Sequence, residues 1–96
     1  MLHAKGMVHL QKQQHDQALE CFRKCLEPFR SNDDALWVGR TYLSIGQTLT
    51  LMHDGRLTVE ARRMLNTAWP LLIEQKSQDD IAQLERLLAL PAVDQS

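Results

Sequence analysis

The chain has 96 residues, enough for one small domain, and 44% of them are apolar, so it can bury a core, though a thin one. Eleven basic and twelve acidic side chains leave a net charge of −1, which argues against a nucleic-acid footprint or a polybasic membrane patch. No stretch approaches the roughly 18 apolar residues of a membrane span, and His3, Lys5 and His9 interrupt the N-terminus, unlike a signal peptide.

Strand signals are nearly absent, and the spacing predicts five helices. The first covers about 2–13, with Leu2, Gly6, His9 and Leu10 on one side. The second covers about 16–30, where Ala18, Leu19, Phe22, Cys25, Leu26 and Phe29 recur at three- and four-residue steps. Pro28 lies in its last turns and is expected to kink or end it, because proline lacks the backbone donor. Ser31-Asn32-Asp33-Asp34 reads as a polar turn rich in N-cap candidates.

A third helix is expected over about 35–53, with Leu36, Val38, Gly39, Tyr42, Leu43, Ile45, Gly46, Leu49 and Met52 on its apolar side. The fourth runs over about 56–76, kinked or divided at Pro70. The fifth follows Ser77 or Gln78, carries Ile81, Leu84, Leu87 and Leu88 as its stripe, and stops before Pro91. Asp79 and Asp80 suit its N-terminal dipole. The last residues, 91–96, read as a flexible tail.

Two stretches repeat. Leu2-x-x-Lys5-Gly6-x-x-His9 precedes Ala18-x-x-x-Phe22-x-x-Cys25. Ala35-x-x-Val38-Gly39-x-x-Tyr42 precedes Ala61-x-x-x-Leu65-x-x-Ala68. Small residues at these steps let neighbouring helices approach closely, and Phe22 and Leu65 fill the space between them. This pattern resembles the tetratricopeptide-repeat (TPR) family over about residues 2–76. The family's leading Trp is replaced by Leu2 and Ala35, and His9 stands where an aromatic is usual.

The resemblance implies an all-α fold of antiparallel helical hairpins, stacked as a short right-handed solenoid of about five helices. Residues 1–33 form a first hairpin, 34–76 a second and longer one, and 77–90 a capping or half-repeat helix. Gly6, Ala18, Phe22, Cys25, Gly39, Tyr42, Ala61, Leu65 and Ala68 become the repeat-packing residues. Gly6 and Gly39 lie 33 residues apart, near the usual period of about 34. A rival register pairs Gly6 with Gly46, a step of 40.

The same resemblance implies a protein-interaction module, not an enzyme, that receives another protein or peptide on a concave face. Lys5, His9, Lys12, Trp37, Arg40, Thr41 and Ser44 are the candidate groove residues. Lys24, Arg40, Arg62 and Arg63 are candidates for gripping an acidic partner. Some members clamp a terminal carboxylate with Lys and Asn; Met7 and Arg40 stand where the Asn would be, so that clamp is not expected.

Cys21 and Cys25 are the only cysteines. Four apart on one helix, they have poor geometry for a bridge, which indicates a reducing, cytoplasmic setting. A C-x₃-C without a second ligand pair is a weak zinc signal, and core packing is favoured over a metal or redox sensor. No nucleophile, phosphate loop or paired-carboxylate motif accompanies the scattered histidines. No cofactor or metal is expected. Self-association through an exposed Ile81, Leu84 or Leu88 is a competing reading.

Overall fold

A computed structural model describes residues 2–93, apart from the Leu2 side chain; the expected packing of Leu2 and the part of the tail from residue 94 onward fall outside it. The chain folds as five helices: α1 (Leu2–Gln11), α2 (His15–Ser31), α3 (Ala35–Leu51), α4 (Val59–Glu74) and α5 (Gln78–Leu88). Each packs on the next in sequence, and α5 also reaches back to α3. The result is an all-α stack of hairpins.

Proline does not divide the helices. α2 continues past Pro28 to Ser31, and α4 runs unbroken through Pro70. The carbonyls that each proline deprives of a donor belong to Lys24 and Asn66, both on exposed positions, where water can satisfy them.

The turns share one device that the sequence conceals. α1, α2 and α4 each end on a residue in the left-handed region, Gln13 (φ 61°), Asp33 (φ 53°) and Lys76 (φ 55°). The next residue's N–H then donates back five positions: Gln14 to His9 (2.8 Å), Asp34 to Phe29 (2.9 Å) and Ser77 to Leu72 (3.2 Å). This is the termination that glycine usually supplies. After α3, Asp54 (φ 57°) and Gly55 (φ 76°) make the same reversal, and Gly55 N–H donates to Thr50. α4 then starts on Thr58, whose Oγ1 accepts from Ala61 N–H at 3.0 Å.

Beyond α5, residues 91–93 of the stretch expected to be loose pair with the α3–α4 turn. Leu57 N–H donates to the Pro91 carbonyl (2.8 Å), and Val93 N–H to the Leu57 carbonyl (2.9 Å). Leu57 and Ala92 thus form a parallel bridge. Leu57 itself is buried, so this backbone pairing ties the end of α5 to the core through the α3–α4 turn.

The core is the inner face of all five helices. Phe22, Ile45, Leu57, Leu65, Leu72 and Leu84 are its largest fully buried apolar side chains, joined by Ala18, Cys25, Ala61 and Ala68. Leu84 is fully buried, while Ile81 and Leu88 are half-buried against the core. The side chains considered for self-association are therefore spent largely inside the fold.

Three glycines mark the closest helix approaches. A Cβ on Gly6 would lie 2.5 Å from the Phe22 ring, and one on Gly46 would lie 2.6 Å from Leu65 Cδ2. Gly39 faces Leu72 and Leu71, at 3.0–3.2 Å. Phe22 and Leu65 are 43 residues apart. Gly6 meets one and Gly46 the other, so contact matches Gly46, not Gly39, to Gly6. From glycine to the side chain it meets, the second hairpin spans 19 residues against 16 in the first, three more. The α3–α4 turn, residues 52–58, is four residues longer than the α1–α2 turn, residues 12–14, and Leu65 sits one residue nearer the start of its helix than Phe22.

Two stability predictions follow from this packing. Gly46→Ala should lower the unfolding free energy by about 1–3 kcal/mol in urea melts, overpacking outweighing the roughly 1 kcal/mol of helix propensity that alanine adds. Gly6→Ala should do likewise, and Phe22→Leu in the same chain should recover part of the loss; a Gly6→Ala variant at least as stable as wild type would refute the close approach. Conversely, Lys76→Gly should stabilise by about 0.5–1 kcal/mol, since relief of left-handed strain exceeds glycine's added chain entropy. A lowered urea midpoint for that variant would count against the turn geometry.

Candidate functional site

α3 is the middle of the stack, and its sequence fits that place. Arg40 is its only charged residue, and most of its other side chains are buried. The buried threonine hydroxyls are satisfied locally: Thr41, Thr48 and Thr50 donate to the carbonyls of Trp37, Ser44 and Gly46 at 2.6–2.8 Å. Such back-bonding to the preceding turn lets threonine sit inside a helix bundle without an orphaned polar group.

One side of α3 faces a cleft of about 210 Å³ shared with α1 and α5, lined by His3, Met7, Arg40, Leu43, Ser44, Gln47, Asp80 and Gln83. Met7 and Leu43 supply its apolar surface. The polar groups are paired across it. Arg40 Nε donates to Asp80 Oδ2 at 2.8 Å, the same carboxylate that accepts from the Ser77 hydroxyl. Gln83 donates to Gln47 at 3.0 Å. His3 Nε2 lies 3.2 Å from Ser44 Oγ.

Aromatic rings frame one end. His3 sits 5.2 Å from both the Phe22 and Trp37 rings, Trp37 stacks on Phe29, and the Arg40 guanidinium lies 5.0 Å over Trp37. Burial pushes the His3 pKa below its ordinary value, the Arg40 charge pushes it further the same way, and Asp80 opposes them. His3 is therefore neutral at neutral pH.

The seven expected groove residues divide. Arg40 and Ser44 line the cleft. Trp37 is half-buried beside it, stacked under Arg40. Thr41 is fully buried and turns its hydroxyl to Trp37 instead of to the cleft. His9 bonds Gln14 at the first turn (2.7 Å), and Lys5 and Lys12 are exposed elsewhere on α1 and its turn. His3, Met7, Leu43, Gln47, Asp80 and Gln83 join the cleft unforeseen. The available signal was helical spacing: Arg40, Leu43, Ser44 and Gln47 recur at three and four residues, one face of α3.

The cysteines lie apart from the cleft. Cys25 is buried in α2, and burial, then the neighbouring Cys21, push its thiol up, away from thiolate reactivity. Among the described residues, no group of three or more His, Cys, Asp or Glu gathers that could hold a metal. No helix there is long and apolar enough to cross a membrane.

Stacked antiparallel hairpins, closed by small residues on the first helix against large ones on the second, define an α-helical repeat protein. The family model for the tetratricopeptide repeat matches residues 1–68, and the chain belongs to that family. Comparison with curated proteins and with solved structures gave no match. Tetratricopeptide repeats are in general non-catalytic modules that bind other proteins.

The His3 environment predicts a pH response. A folded pKa held below the unfolded value of about 6.5 means the unfolded chain takes up the proton first. Stability is then undiminished above pH 7, falls as pH drops through about 6.5, and levels off below the folded value. Urea midpoints between pH 7.5 and 5.5 should decline less in His3→Gln than in wild type; parallel curves would show that His3 is not the group responsible.

Proposed function

We propose that this protein is an interaction module that holds a segment of a partner protein in the cleft between α1, α3 and α5. The observation that carries this reading is the cleft's make-up: an apolar floor of Met7 and Leu43 beneath polar groups contributed by three helices. Gln47 and Gln83 present side-chain amides, each with a donor and an acceptor. Their mutual hydrogen bond is one that a partner's backbone amide can replace in kind. Arg40 and Asp80 cancel in charge, and His3 is neutral, so the cleft favours a segment without strong net charge. Trp37 flanks it as a secondary contact. Two unbridged cysteines fit a cytoplasmic adaptor or regulatory domain.

Protein retained from a lysate of the native host on immobilised wild type should be lost, by at least about tenfold, on Gln47→Lys/Gln83→Lys. Circular dichroism and melting temperature of that variant serve as the folding control. Equal retention by the folded variant would refute the cleft as the binding surface.

A further inference from the structure

The exposed face of α4 is a second and different surface. Val59, Arg62, Arg63, Asn66 and Thr67 line a shallow depression of about 380 Å³ along it. Their spacing of three and four residues makes one continuous stripe on the helix. Val59 is 58% exposed, the most of the large apolar side chains among the described residues.

Unpaired cations occur singly elsewhere among the described residues, but on this face two adjacent ones, Arg62 and Arg63, share one depression. Arg23 pairs with Glu60, Lys24 with Glu20 and Arg40 with Asp80, and Arg30 donates to the Tyr42 hydroxyl. Arg62 and Arg63 have no such partner among the described residues. Glu60, the acid closest to them in sequence, is directed to Arg23 on α2 at 3.4 Å. Thr67 turns its hydroxyl back to the Arg63 carbonyl, leaving the two guanidinium groups and the Asn66 amide to face outward. In a chain of net charge −1, this local positive excess is no by-product of a basic composition.

We propose that the α4 face docks an acidic polypeptide segment bearing an aliphatic side chain. Guanidinium forks match carboxylates in bidentate geometry, and Val59 offers one aliphatic contact beside them. A nucleic acid fits less well: no aromatic side chain lines the depression for base stacking, and two arginines make a short phosphate track. The surface lies on α4, apart from the α1–α3–α5 cleft, so this inference stands independently of the cleft reading.

The test uses the full chain and a synthetic helical peptide of glutamate and leucine, followed by amide chemical shifts at low salt. Shifts should centre on Val59, Arg62, Arg63 and Asn66, and weaken at 0.5 M salt. Arg62→Glu/Arg63→Glu, with unchanged circular dichroism, should lower affinity about tenfold. A version of the peptide with serine for leucine should bind more weakly than the parent. Gln47→Lys/Gln83→Lys should leave the binding intact. Absence of binding, unchanged affinity in the arginine variant, shifts confined to the α1–α3–α5 cleft, or tighter binding of a duplex DNA oligonucleotide at the same residues would each overturn the proposal.

Discussion

The architecture rests on two places where a helix backbone meets a large side chain with no Cβ between them, Gly6 on Phe22 and Gly46 on Leu65. A helical glycine gives up about 1 kcal/mol of propensity relative to alanine. Here the lost propensity is offset by burial of Phe22 and Leu65, each fully enclosed and each worth a few kcal/mol against exposure. Because the two contacts are equivalent, they set the repeat. α3 then falls between α2 and α4, where its surroundings require a helix with one charge and threonine hydroxyls satisfied within the helix. A threonine can meet that demand because its donor reaches the carbonyl four residues back.

The number and order of helices were legible because apolar residues recur at helical steps with few interruptions. Helix ends were less so. Gln13, Asp33 and Lys76 adopt the left-handed turn conformation that sequence reading assigns to glycine, and nothing in their identity announces it. Of the two effects expected of proline, division of the helix does not occur, because the freed carbonyls lie on the outer face where water can satisfy them. The repeat register was open for another reason. Gly39 and Gly46 both meet α4 closely, and distance along the chain does not say which glycine faces which partner. The pairing at Leu57 and Ala92 had no strand signal, since it engages one residue between two carbonyl–amide contacts.

The candidate site shows the same division. Arg40 and Ser44 reach the cleft, while Thr41, one residue on, does not, because each step along a helix rotates the side chain by about 100°. The contribution of α5 was hidden for a topological reason. Asp80 read as an acid suited to its own helix dipole, yet its carboxylate also accepts from Arg40, 40 residues earlier. Only the return of α5 against α3 joins these roles.

That return gives α5 two roles. Its near end is pinned by Asp80 on Arg40, and its far end by the backbone pairing that follows it. Between these anchors Leu84 is buried and Gln83 spans the cleft, while Gln78, Asp79, Glu85 and Arg86 stay exposed. One helix thus closes the core and walls the cleft. The polar groups it offers there are already engaged with α3, so a segment bound as proposed would exchange hydrogen bonds instead of creating them. Such exchange adds little net energy for a poorly matched segment and leaves a buried group unsatisfied when the match is wrong. A segment bound as proposed would thus be selected by complementarity more than by strength of binding.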